Sequence, residues 1–312
     1  MFKNLLKKIL IIGLIVACSY GIGRLYFYLT GGFTLNNISS NWTYQPDWEI
    51  RPLAQAEQQE LQHALNQSYQ YLGKGCQSYV FLSEDEQYVI KFFKYQRFRL
   101  SSWLAYFPPL PAIVQYRQEK LETKWKKLDG FVKSWKIAFE HLKEETGLVF
   151  VHLNKTQHLK KQLAITDKLG LSHLIDLDQM EFCIQRRAEM LCDTLLTYKV
   201  EGDLQKAQLI ISRLIALILS EYERGLADND HALMQNTGVV KEQPIHIDVG
   251  QFVLNESIKN PEVYRQELFT KMYKFKLWLK EQYPELAIFL DEQLKKTLGS
   301  DYAEMQPKFR QK

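Results

Sequence analysis

The rhythm of hydrophobic and polar positions changes several times along the chain, and each change predicts an element. From Ile9 to Leu29 apolar and aromatic residues run almost unbroken, interrupted by Arg24. About 20 such residues suffice to cross a bilayer as one helix. Residues 31–58, "GGFTLNNISSNWTYQPDWEIRPLAQAEQ", keep no period and are rich in Gly, Asn and Ser, which reads as a linker with at most a short strand. "YVFL" and "YVIKFF" then alternate on either side of the polar turn "SEDEQ", predicting two antiparallel strands. "LVFVHL" (148–153) is a further strand, and 162–170 and 180–189 read as strands paired around "LSHLIDLDQ". Helical spacing covers 116–147, and returns from Asp203 to Arg224 with apolar residues at 204, 207, 211, 214, 215 and 218, Asp203 as N-cap and Gly225 just past the end. A short hairpin precedes "IHIDVGQF" (245–252), and two or three helices come after it. The class is α+β.

Composition narrows this. At 46% hydrophobic and 13% aromatic the chain is globular rather than disordered. A net charge of +4 with 24% charged residues gives no reason to expect nucleic acid as partner. The four cysteines form no CxxC pair and the seven histidines no HxxxH, so neither a disulfide framework nor a zinc site is predicted. Lys3, Lys7 and Lys8 precede the apolar run and the next basic residue after Arg24 is Arg51. The positive-inside rule then places the N-terminus in the cytoplasm of a single-pass membrane protein. "IVAC", ending on Cys18, supports an alternative, a lipoprotein or cleaved signal. "LIALIL" (214–219) is too short to span and suits a buried helix.

The chemical signal begins at "GKGCQSYV". Gly73 and Gly75, with small Ser78 and then Val80, let a hairpin tip bring its backbone N–H groups close to phosphates. Lys91 stands inside the apolar strand that comes next, where a lysine needs a partner, and a phosphate beneath the tip would be one. These residues resemble the glycine-rich loop and V-A-I-K strand of the protein kinases. The resemblance implies a bilobal kinase-like fold, with a sheet-rich N-lobe over 59–187, a helical C-lobe over 188–300 and a polar tail at 301–312, behind the anchor (1–30) and linker. It implies ATP and Mg²⁺ as cofactors. Asp248-Val249-Gly250 looks like D-F-G, so Asp248 becomes a metal ligand and Asn236 the second one. Asp230 takes the catalytic role, or Asp228 does, since Asp230 and Asn236 stand one residue further apart than in the family. Gln185-Arg186-Arg187 becomes the hinge against adenine. Glu140, with Glu119 and Glu122 as rivals, becomes the helix carboxylate that pairs with Lys91.

Two departures qualify the resemblance. No A-P-E comes after Gly250, and Asn229 stands where the loop arginine belongs, which favours a small-molecule, lipid or glycan hydroxyl as acceptor over a protein. Residues 95–114, "YQRFRLSSWLAYFPPLPAIV", are an insertion whose Arg97, Arg99, Trp103, Tyr106 and Phe107 suit either a membrane-surface or partner patch, or a tucked-in loop. The implied function is a membrane-anchored phosphotransferase. The alternative is a pseudokinase serving as a tethered binding or scaffold module.

Overall fold

The computed structural model describes residues 2–309; Met1 and the last three residues of the polar tail lie outside them. Helix α1 (Phe2–Thr30) carries the apolar run, and its stretch Lys7–Thr30 is long and apolar enough to cross a membrane. Residues 7–29 of it are exposed throughout, unlike a core helix, and only Thr30 at its end is buried.

Residues 31–58 are packed and are not a linker. After the short α2 (Leu35–Ile38), Phe33 and Ile38 sit in the core of the sheet, and Trp48 in a second core against Trp125. An aperiodic segment can still anchor itself through single large side chains, each worth about 1.5–3 kcal/mol when fully buried. Helix α3 (Gln55–Leu65) then leads into a seven-stranded sheet.

The strands are β1 (Tyr69–Lys74), β2 (Ser78–Ser83), β3 (Tyr88–Phe93), β4 (Leu148–His152), β5 (Gln162–Thr166), β6 (Ser172–Asp176) and β7 (Phe182–Arg186), in the spatial order β4-β7-β3-β2-β1-β5-β6. The β1–β5 pair is parallel and the other pairs are antiparallel. The expected partnership of 162–170 with 180–189 is therefore corrected. The first closes a hairpin with β6 through a turn at Gly170 (φ 81°), while β7 lies between β3 and β4.

Both faces of the sheet are covered, so the period of two sorts residues between two cores. From β3, Tyr88, Ile90 and Phe92 face the core that holds Phe33 and Leu61; Phe93 faces the other, beneath helix α4 (Pro111–His141). Lys91 shares that second face. Helix α4 buries Leu128, Val132, Trp135 and Phe139 in its second half, while Val114, Tyr116 and Leu121 of its first half stand in solvent. A single turn, α5 (Lys143–Thr146), joins it to β4.

After β7 the chain becomes mainly helical. Strand β8 (Glu189–Met190) precedes α6 (Leu191–Glu201) and α7 (Leu204–Glu223). Asp203 accepts from the Lys206 backbone N–H at 3.0 Å and Gly225 adopts φ 74°, so α7 has the caps that its sequence announces. Strand β9 (Leu226–Asp228), the one-turn α8 (Leu233–Asn236), β10 (Thr237–Val240), β11 (Gln243–His246) and β12 (Phe252–Leu254) come next, with β9 paired to β12 and β10 between β11 and β8. Helices α9 (Pro261–Gln282) and α10 (Pro284–Leu298) close the core around α7.

Candidate functional site

The glycine hairpin is built as its sequence suggests. β1 and β2 pair with a shift in register between Tyr71 and Gly73, and the Gly75 N–H closes the tip on the Ser78 carbonyl at 3.0 Å. Nothing lies within 4 Å of the place a Cβ would take at Gly73 or Gly75, so the tip is open to an approaching ligand. Lys94 donates to the Gly75 carbonyl and Arg97 to the Cys76 carbonyl at 2.7 Å, which gathers positive charge at the tip. Burial, then the nearby Lys74, lowers the Lys94 ammonium to about 8.

Beneath the hairpin is a cleft of about 410 Å³ lined by Gly73, Gly75, Ser78, Val80, Lys91, Gln185 and Asp248. These residues, singled out one by one in the sequence, thus meet in one place, whereas Asp230, Asn236 and Glu140 are not among those that line it. Lys91 is buried and donates to the Gln185 Oε1 at 2.6 Å and to the Ile247 carbonyl. Burial pushes its ammonium down, and the adjacent Cys183 and Asp248 oppose this. Asp248 is half-buried, and burial pushes its carboxyl up, against the pull of Lys91. The strand that delivers Asp248 is pinned from below. His246 meets Glu221 of α7 at 2.6 Å with both side chains 1% exposed, and Gln185 donates to the His246 carbonyl at 2.8 Å.

Glu140 is not in this cleft. Its Oε1 accepts from the Arg51 backbone N–H at 3.2 Å. Glu119 and Glu122 lie on the exposed half of α4, accepting from Gln115 and Gln118. The α4 side chain that lines the cleft is Trp135, whose ring centroid lies 6.0 Å from the Lys91 Nζ and whose buried indole N–H has no hydrogen-bond partner. Gln185, expected to meet adenine through its backbone, lines the cleft and gives its side chain a second task. Its side chain turns inward and is consumed by Lys91, the Thr146 carbonyl and the His246 carbonyl. The Arg186 and Arg187 amides are already bonded to the Gly147 and Gln87 carbonyls, so Ala188 to Met190 continue the cleft wall beyond them.

The polar loop divides its two candidate acids. Asp228 is 4% exposed and ion-paired with Lys271 of α9 at 2.8 Å. Asp230 is half-buried, accepts from the Gln251 side chain at 2.9 Å and lines a neighbouring cavity of about 530 Å³ with His231, Lys271 and Lys274. Gln235 borders both cavities. Asn236 is buried, and its carbonyl accepts from the Ile247 N–H at 2.8 Å, which sets it beside the residue that precedes Asp248.

A contact invisible in the sequence joins the hairpin to D-V-G. A Cβ at position 250 would fall 2.0 Å from Gln77 Oε1, so the Gln77 side chain of the hairpin tip rests directly on the glycine and would have to swing aside for any larger residue. That Gln77 oxygen is buried without a hydrogen-bond partner.

The residues fit a magnesium nucleotide. Mg²⁺ takes one or two carboxylates and completes its shell with phosphates and water. Asp248 supplies one such carboxylate at the cleft, and the buried Lys91 supplies a cation for the phosphates. Among the described residues no three His, Cys, Asp or Glu side chains gather into a metal-holding group, so the phosphates would be needed to complete the shell.

No protein-family model matches the chain, and no curated protein matches it either. Among solved structures, the chain resembles a medium-resolution structure of the bifunctional kinase-methyltransferase WbdD at 14% identity and a TM-score of 0.34, covering 74% of this chain and 43% of that one. A 2.2 Å crystal structure of WbdD gives 16% identity, coverage of 73% and 45% and the same score. Its co-crystal with the kinase inhibitor LY294002 gives 15%, 76% and 46%, and 0.32. The chain spans less than half the length of these structures, and the likeness is distant.

Proposed function

We propose that the protein is a membrane-anchored, kinase-like phosphotransferase that moves the γ-phosphate of ATP to a hydroxyl acceptor with Mg²⁺. The observation that carries this reading is the meeting of Lys91 and Asp248 under an open glycine hairpin. Each charge is costly where it stands, and an anionic phosphate with its metal would relieve both.

Lys91 would hold the α- and β-phosphates, with the hairpin N–H groups above them. Asp248 and Asn236 would hold Mg²⁺, which when bound neutralises charge on the β- and γ-phosphates. Asp230, positioned by Gln251, would orient the acceptor hydroxyl and take its proton. The acceptor would enter from the cavity lined by His231, Lys271 and Lys274.

A second reading, a nucleotide-binding pseudokinase, is favoured by one observation: Lys91 is held by the neutral Gln185 and a carbonyl, with no helix carboxylate. Thermal unfolding of the full chain in detergent tests the first. MgATP at a hundredfold excess over its Kd should stabilise by about 2.7 kcal/mol, a shift of several degrees. No shift with ATP, with or without Mg²⁺, would overturn both nucleotide readings. A shift without ADP release would select the pseudokinase.

A further inference from the structure

The topology brings three exposed segments to one end of the sheet. β1 runs parallel to β5, and is related to β3 through β2 by two antiparallel steps, so the three strands end on the same side. Just past those ends lie the glycine tip after Lys74, the 94–110 segment after Phe93, and the 167–171 turn after Thr166.

The C-terminal end of α1 arrives at this same edge, with no slack. A helix leaves its last carbonyls without intrahelical partners. Lys168 donates to the Tyr28 carbonyl at 2.7 Å and Lys74 to the Gly31 carbonyl at 2.6 Å, with the Lys74 Nζ 3.7 Å from the Phe27 ring centroid. Arg99 donates to the Asn36 and Ser39 carbonyls, both at 2.6 Å, and latches the 94–110 segment beside them.

Around this exit the surface is apolar and aromatic. Tyr106 is 88% exposed, and Trp103, Phe107 and Leu110 beside it and Leu169 and Leu171 on the turn are about half exposed. Of the insertion 95–114, Tyr95 and Leu104 are tucked in, while Trp103, Tyr106 and Phe107 stand in solvent. Next to this patch the charge is positive: Lys124 donates to the Arg97 carbonyl, and burial with Lys127, Arg97 and Lys120 lowers its ammonium. Aromatic side chains beside clustered cations are the composition of a headgroup-level contact with anionic lipid.

We propose that this end of the sheet lies on the bilayer into which α1 inserts, with Trp103, Tyr106, Phe107, Leu110, Leu169 and Leu171 at headgroup depth. The proposal rests on the membrane-anchored reading and is independent of catalysis. The partner surface is lipid, because Lys168 and Arg99 tie the two apolar segments to the end of a helix that is itself suited to lipid and to the residues just after it.

The test reconstitutes the full chain in vesicles of phosphatidylcholine and phosphatidylglycerol doped with a lipid carrying a diazirine near its glycerol backbone, then maps adducts by mass spectrometry. Adducts are expected on α1, on 103–110 and on 169–171, with fewer on 103–110 when phosphatidylglycerol is omitted. Leu254 and Ile288, 63% and 64% exposed, should stay unlabelled. Adducts on α1 alone would overturn the proposal and leave the anchor standing. Adducts missing from α1 as well would overturn both, while the nucleotide-binding result would stand unaffected.

Discussion

At the residue scale, Asp248 shows what a site costs its own fold. Burial raises its folded pKa above the unfolded value near 3.9. The stability tied to its protonated form is thus fully present below that value and is lost as pH rises through the folded pKa. Asp248→Asn removes the cost while keeping an acceptor for the Gly250 N–H, which bonds Asp248 Oδ1 at 3.2 Å. Without metal, the variant should melt above the parent near neutral pH, by about 2 °C or more, and the gap should close toward pH 4. Calorimetry across that range checks it; a variant melting lower at neutral pH would mean that Lys91 more than compensates the carboxylate. Residue chemistry is only partly readable from the chain. Gly73, Gly75, Lys91 and Asp248 carry local signals, because a tip, an apolar strand and a strand end each constrain their own residue types. Which carboxylate would meet Lys91 is not readable. Helix phase allows Glu140, but the packing of α4 under Phe93 presents Trp135, and Gln185 takes the amine from across the sheet.

At the scale of elements, the buried Lys271–Asp228 pair fastens α9 to β9, the strand that launches the polar loop. Both side chains are almost fully buried, at 2% and 4%. Breaking such a pair leaves one charge without compensation, whereas replacing both partners with apolar groups is often neutral. Lys271→Met should therefore cost about 3–5 kcal/mol in chemical denaturation. Asp228→Leu with Lys271→Met should recover most of it. Recovery failing would mean that the pair sets the loop geometry rather than only its charge balance. Elements with strong periods or caps, such as β2, β3 and α7, can be read from the sequence because their signals are local. The partner of β5 cannot, since both β6 and β7 offer apolar runs and only the tight turn ending at Gly170 decides between them.

At the scale of the whole molecule, residues 31–58 decide where the folded unit begins. Phe33 and Ile38 fill the sheet core and Trp48 the core under α4, with its indole N–H donating to Asp129 at 2.9 Å. Three buried side chains at about 1.5–3 kcal/mol each rival the stability of a typical domain. A chain begun at residue 31 should unfold cooperatively, whereas one begun at residue 59 should expose apolar surface and lose its transition; dye binding and calorimetry distinguish them.

The lysine-capped end of α1 has a further meaning for encounter. With the Tyr28 carbonyl held by Lys168 of the β5–β6 turn and the Gly31 carbonyl, just past the helix, held by Lys74 of β1, a membrane-inserted α1 would be less a tether than a post, and it would fix the height of the cleft above the lipid. An acceptor confined to the same bilayer would meet the cleft by searching a plane, at one set elevation, while a hydroxyl free in solution would gain nothing from the arrangement. The two lysines would then act as a ruler, selecting acceptors by how far they stand from the membrane.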